Sequence, residues 1–178
     1  MPLTLHTVAI DTFVPMLETL SELLGKGAEL ARAKKFDFEV LSNGRLAPDM
    51  FPLTKHVHIA CDNAQSAIAN LTGSSEPEHV SSDASLTGLQ ACIARTVEAL
   101  KRASIPANDE ERKITVPMSP EMRFEFSAPQ FLLHWAIPQF YFHVVTAYAI
   151  LRHNGADIGM TDYGTVAGQY MRTGSAVD

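Results

Sequence analysis

The chain has 178 residues and a formal net charge of −6, with 46% hydrophobic and 19% charged residues. This composition is typical of a single soluble globular domain and excludes a disordered chain. The 14 lysine and arginine residues are scattered along the sequence, which argues against a nucleic-acid partner or a membrane surface held by charge.

The cellular location is predicted from the absence of sorting signals. The N-terminal segment lacks the basic start of a secretion signal, and the longest apolar stretch, around 131–151, is interrupted by polar residues and a proline. The only two cysteines, Cys61 and Cys92, show no CxxC spacing. We interpret them as small buried apolar residues of a reducing compartment, since a core of this size needs no disulfide. The sequence therefore predicts a cytoplasmic protein without a membrane span.

The first helix is predicted from about Thr4 to Lys35, because leucine and alanine recur there at steps of three and four residues. Pro15 lies inside this pattern, so an alternative is a helix that begins at Pro15 after an ordered lead-in. Residues 36–49 are predicted as a connecting loop, with a turn at Asn43 and Gly44.

Two further helices follow in the sequence. The second has Asp49 as its predicted N-cap, Pro52 in its first turn and an apolar seam that ends at Gly73. The third begins near Leu86 and closes near Pro106.

The period of the apolar residues then changes to two. Alternation from Ile114 to Phe126 predicts a small β-hairpin or an extended segment. A fourth helix is predicted from Ala128 to a cap at Asn154. We therefore expect one all-α domain over residues 1–178, a four-helix bundle whose residues 155–178 form an irregular tail.

Polar side chains on the fourth helix are the candidate functional residues. Trp135, Gln139, His143 and Thr146 share one face, since they are spaced by three or four residues. His56 on the second helix lies beside that helix's apolar seam, so His56 and His143 are predicted to meet inside the bundle. Imidazole is a good ligand for zinc, nickel and iron, which makes these histidines candidate metal ligands, with Gln139 as a third.

Other interpretations of these residues stay open. His143 alone is typical of a hydrogen-bonded core histidine, and the neutral amide of Gln139 is a weak metal ligand. Gln139 is equally suited to bond His143 or the carbonyl freed by Pro138.

The second helix offers further polar residues. His58 and Asp62 are four residues apart and are most simply interpreted as a surface pair, whereas Asp62 and Asn63 would line a pocket if the helix is rotated. No nucleophile elbow, phosphate-binding glycine loop or HExxH motif occurs in the chain.

Three segments resemble a known superfamily. The runs PQFYFHVVTAYAILRHNGADIG, APDMFPLTKHVHIACDNA and SLTGLQACIARTVEAL resemble the DinB/YfiT-like metalloenzyme superfamily, and more closely a bacterial branch classed as a domain of unknown function. The resemblance implies a four-helix bundle, often a homodimer. It also implies a divalent metal on three histidines, at the positions of His56, Gln139 and His143. Because Gln139 stands where the superfamily has histidine, the resemblance implies a metal that is weak, different or absent.

These observations lead to three hypotheses for function. The first, which we favour, is a bundle with a polar pocket that binds a small molecule or keeps a vestigial metal site. The predicted pocket is lined by Trp135, Asp62, Asn63 and Thr146. The second is a metal-dependent hydrolase or transferase that uses a metal-bound water. The third is a dimeric module whose exposed aromatic residues contact a partner protein.

Overall fold

The computed structural model describes residues 3–75, 83–106 and 111–171, and the end of the predicted tail lies outside these residues. Helix α1 spans Leu5–Lys34 and passes through Pro15 without a break. The alternative start at Pro15 is therefore wrong. The reason is that residues before the proline, such as Ala9 and Phe13, are fully buried and hold the first turns against the core.

The predicted loop after α1 contains a short helix, α2 (Phe38–Ser42), which corrects the loop prediction. It forms because Leu41 is buried and Phe38 packs near Gly27, where α1 offers no side chain in the way. Tertiary contacts thus impose helix on a segment whose sequence carries only a turn signal.

Helix α3 spans Leu53–Thr72 and helix α4 spans Leu86–Arg102. The N-cap of α3 is Pro52, so the prediction of Asp49 as N-cap is wrong. The Leu53 amide, at the start of α3, donates a hydrogen bond to the Gly44 carbonyl. This bond fixes the chain at the start of the helix, so the residues between Asp49 and Pro52 stay outside it. At the other end, Gly73 closes α3 in the left-handed conformation, with φ of 71°.

A two-stranded antiparallel sheet precedes the last long helix. It consists of β1 (Lys113–Ser119) and β2 (Met122–Ser127), with Ile114 opposite Phe126. The described part of the chain is therefore mostly helical, with one small antiparallel sheet. The hairpin itself falls where the change of period predicts it.

The region predicted as one fourth helix has three parts. These are α5 (Ala128–Phe131), a π-helical segment (Leu132–Ala136) and α6 (Ile137–His153). The wider turn directly precedes Pro138, whose ring displaces the carbonyl four residues earlier and whose nitrogen donates no hydrogen bond.

The four long helices share one core. Helix α1 packs against α4 and α6, and α3 packs against the same two helices. The fully buried rings of Phe13 and Phe140 meet edge to face at 4.9 Å between α1 and α6. The tail returns to α1 through α7 (Met160–Tyr163), where Asp162 pairs with Lys26 at 2.5 Å. None of the described helices is both long and apolar enough to span a membrane.

Candidate functional site

Two histidines from different helices meet in the core. His56 lies in the first turn of α3 and His143 in the second turn of α6, and their Nδ1 atoms are 2.9 Å apart. The exposed fraction is 1% for His56 and 8% for His143. They meet because α3 and α6 pack along their length and each histidine lies on or beside the apolar face of its helix.

Aromatic rings cover this histidine pair. The Phe51 ring centre lies 6.2 Å from that of His56, and the Phe142 ring centre lies 6.3 Å from it. Both phenylalanines are themselves more than half exposed. The Nε2 atom of His56 is buried and has no hydrogen-bond partner among the described residues. An uncompensated buried donor or acceptor is costly, so this atom is a candidate contact for a ligand.

Burial makes both imidazoles hard to protonate. Burial, and after it charge repulsion from His56, lowers the pKa of His143 to about 4. Burial also lowers the pKa of His56, against a small opposite effect of the Phe51 carbonyl. The pair is therefore neutral at pH 7, in the form in which imidazole can accept a hydrogen bond or ligate a metal.

Gln139 does not share this buried environment. It is exposed at the mouth of a cleft between α3, β1 and the π-helical segment, with a volume of about 120 Å³. We call this the amide cleft. Its polar lining residues are Asn63, Ser66, Asn70, Thr115, Trp135 and Gln139.

The amide cleft is polar but uncharged among its described lining residues. Helix α3 contributes Asn63, Ser66 and Asn70, which are three and four residues apart and hence on one face. The π-helical segment contributes Trp135, whose ring packs against Phe124 at 5.4 Å. Ser66, Asn70 and Thr115 were not among the residues predicted from the sequence. The first two could have been found, because they share one face of α3 with Asn63.

Two of the four residues predicted to line the pocket come together in the amide cleft. These are Trp135 and Asn63, which line the cleft together with Gln139. Thr146 is buried and is not part of this lining; its hydroxyl donates a hydrogen bond of 2.7 Å to the Phe142 carbonyl. Asp62 is half-buried and acts on the pKa of His58 from the side of α3 that faces α4.

His58 is buried, so its interpretation as part of a surface pair is wrong. Its Nε2 atom lies 3.3 Å from the Asp83 backbone carbonyl. Interaction with Cys92 raises the pKa of His58, and burial opposes this. Packing of α3 against α4 explains this burial, because His58 lies on a different side of α3 from the amide cleft, next to the backbone of Asp83 that leads into α4.

The ligand set for a metal is small. Within residues 3–75, 83–106 and 111–171, no three His, Cys, Asp or Glu side chains are grouped so that they could hold a metal ion. Two converging imidazoles alone do not fit a tightly bound resident ion, which in structural and catalytic zinc sites has at least three protein ligands. The roles of His56, His143 and Gln139 as metal ligands stay a prediction.

Comparison with known proteins identifies the family. The model of the domain of unknown function DUF1993 matches residues 5–164. A crystal structure of a DinB family member protein from Shewanella denitrificans superposes with a TM-score of 0.81 and 36% sequence identity, over 89% of this chain and 90% of that one. No curated protein matches the chain. The chain therefore belongs to the DUF1993 family and is a DinB-like domain of unknown function.

Proposed function

We propose that this protein is a DinB-like four-helix bundle that binds a small, neutral, polar molecule in the amide cleft. The observation that carries the proposal is the lining of the cleft. The carboxamides of Asn63 and Gln139 offer both donors and acceptors, while Trp135 offers an apolar face. Because the described lining carries no charge, an ion would lose hydration there without a partner.

The size of the cleft is consistent with such a ligand. A closed cavity of about 150 Å³ holds a benzene molecule, so a cleft of about 120 Å³ suits a compound of similar size, such as a small amide or polyol. The π-helical segment supports the proposal, since such widened turns are frequent at functional sites and this one positions Trp135.

Trp135 is the only tryptophan of the chain and gives a direct readout. We expect its fluorescence to change on titration with a panel of small amides, polyols and monosaccharides, for at least one compound. Asn63→Ala should weaken that response. Asn43→Ala should not, because Asn43 is an exposed residue at the C-terminal end of α2, and its side chain donates to the Glu39 carbonyl. A panel that leaves the fluorescence unchanged, or a response equal in both variants, would contradict the proposal.

In this proposal the His56–His143 pair is a vestigial metal position one helical turn from Gln139. The alternative is a metal-dependent hydrolase or transferase, which the convergence of two neutral Nδ1 atoms favours. The vestigial site is favoured because the described residues bring only two imidazoles together, whereas zinc sites have at least three protein ligands. If bound, a divalent metal would supply an acidified water as nucleophile. Equilibrium dialysis against zinc and nickel, followed by elemental analysis, separates the two: metal retained in proportion to protein would favour the enzyme.

We also propose a homodimer formed through the outer stripe of α6. Phe142 and Val145 are 56% and 47% exposed and lie on the same face of that helix. Large exposed apolar side chains grouped on one helix face are typical of protein interfaces. A dimer of this kind would also shield Phe142, which covers His56.

A further inference from the structure

One wall of the amide cleft is the edge of a β-strand. Thr115, Val116 and Pro117 of β1 line the cleft, and Thr115 is exposed. Within the part of the chain that the structure describes, β1 pairs with β2 and with no other strand, so its second edge is open. An open strand edge carries backbone N–H and C=O groups that can pair with another chain. The cleft is therefore lined by backbone groups as well as by side chains.

The register of the hairpin indicates which groups of β1 point into the cleft. In an antiparallel pair, the backbone groups of successive residues point alternately towards the partner strand and away from it. Thr115 and Pro117 are two residues apart, opposite Glu125 and Arg123, so their backbone groups share one direction. Proline has no N–H to give to the ladder and is tolerated where the N–H side of a strand faces away from its partner. The same direction for Thr115 aims its N–H and C=O at the cleft that both residues line.

Two carboxamides in the same cleft complement this edge. Asn63 on α3 and Gln139 on α6 both line it, and among the described residues no backbone hydrogen bond joins Thr115 to a residue outside the hairpin. A carboxamide holds an N–H donor and a C=O acceptor side by side, the same pair that a peptide group offers. An extended segment along β1 would thus pair with Thr115 on one edge and meet carboxamides on its other edge.

The rest of the lining limits the side chains of such a segment. Successive side chains of a strand point to opposite sides, so every second one would face the apolar part of the cleft, formed by Phe131, Trp135 and Ala136. The volume of about 120 Å³ leaves room there for a small side chain, such as that of alanine, and not for an aromatic one. Because the described lining carries no charge, neutral residues are favoured over charged ones.

We propose that the ligand of the amide cleft is an extended, neutral peptide segment that adds to the open edge of β1 as a third strand. This inference rests on the proposed function and names the ligand class as the peptide group. In strand addition, main-chain hydrogen bonds give the affinity and alternate side chains give the specificity. Here the N–H and C=O of Thr115 form the central pair of hydrogen bonds, and a small side chain of the peptide contacts Trp135.

The test compares two blocked peptides on the full-length protein. The first is N-acetyl-alanyl-alanine methylamide, and the second is the same peptide with both alanine nitrogens methylated, which removes their N–H donors. At millimolar concentration the first should change the fluorescence of Trp135 and slow amide hydrogen exchange at Thr115. The second should bind weaker by about tenfold or more, because the Thr115 carbonyl then loses its partner. Equal affinity of the two peptides would overturn the proposal.

Two substitutions at Thr115 form a matched pair. Thr115→Pro removes the backbone N–H on the outer edge of β1, where a strand tolerates proline, and Thr115→Val removes the hydroxyl but keeps the N–H. The proline variant should bind the first peptide weaker by about tenfold, and the valine variant should bind it as the wild type does. Equal losses in the two variants would contradict strand addition. If Thr115→Pro disturbs the hairpin, the two peptides still test the same hydrogen bonds on the wild-type protein.

Simple probes separate this inference from the proposed function. If acetamide or glycerol changes the fluorescence of Trp135 and the blocked peptide does not, strand addition is wrong and the proposed function stands. If none of the three compounds changes it, both are wrong. Exchange at Thr115 that slows with protein concentration, in the absence of peptide, would show that a second copy of the chain occupies the β1 edge. That result would also overturn the proposal.

Discussion

His56 and His143 hydrogen-bond through the same ring atom, Nδ1, at 2.9 Å. One ring must donate and the other accept, so the two neutral histidines hold different tautomers. A single added proton can be shared by the pair, but a second one would place two donors face to face. The pair is therefore stable only while at least one ring is neutral.

This relationship predicts a pH dependence of stability. The pKa of His143 falls from 6.5 to about 4 on folding, so between these values the unfolded chain binds more protons than the folded one. The neutral His143 therefore contributes about 3 kcal/mol to the free energy of unfolding. This contribution is fully present above pH 6.5 and is lost progressively as the pH falls toward 4. Urea unfolding at several pH values should show the decline.

The control for that experiment is a second histidine variant. His143→Leu should remove most of the decline between pH 6.5 and 4, whereas His153→Gln should retain it, because His153 is exposed. A wild-type free energy of unfolding that stays constant over this range would contradict the buried neutral pair.

Two phenylalanines on α6 give a test of core packing. Phe140 is fully buried against Phe13, whereas Phe142 is 56% exposed. Phe140→Ala should lower the free energy of unfolding by about 3–5 kcal/mol, because it leaves a cavity in the core. Phe142→Ala should cost less than about 1 kcal/mol in the same measurement, made at a protein concentration low enough for the proposed dimer to dissociate. Similar losses in the two variants would show that the faces of α6 are assigned incorrectly.

A single substitution tests the proposed vestigial metal position. Gln139→His would add a third imidazole one turn before His143, so we expect tighter binding of zinc in isothermal titration. Acid should release the metal, since a protonated imidazole cannot ligate. Asn43→His places an imidazole at an exposed position away from the pair and should leave the affinity unchanged. If Gln139→His gains no zinc affinity, the hypothesis of a metal site is wrong. The proposal that the amide cleft binds a small molecule does not depend on this result.

The proposed dimer has its own measurement. Light scattering at micromolar concentration should give twice the chain mass, with an interface of about 1,000 Å² or more. Val145→Arg should shift the protein to monomer, because the charge would be buried without a partner. Leu46→Arg serves as a control, since Leu46 is exposed between α2 and α3. A monomeric wild-type protein would contradict this prediction.

The long helices, the hairpin and the approach of His56 to His143 all follow from the spacing of apolar residues along the chain. Helical periodicity records which side of a helix is apolar, and a residue on or beside that side must enter the core. The place of the hairpin followed from the same logic, because a period of two places alternate residues of a strand on opposite sides.

The grouping of the polar residues, in contrast, depends on how the helices pack against one another. Gln139 and His143 are four residues apart on α6, yet their environments differ. His143 is buried against His56 of α3, whereas Gln139 lines the open cleft beside β1. Likewise, the burial of His58 depends on the rotation of α3 against α4. Such rotations follow from the packing of whole helix faces, and spacing along one helix carries no information about the partner helix.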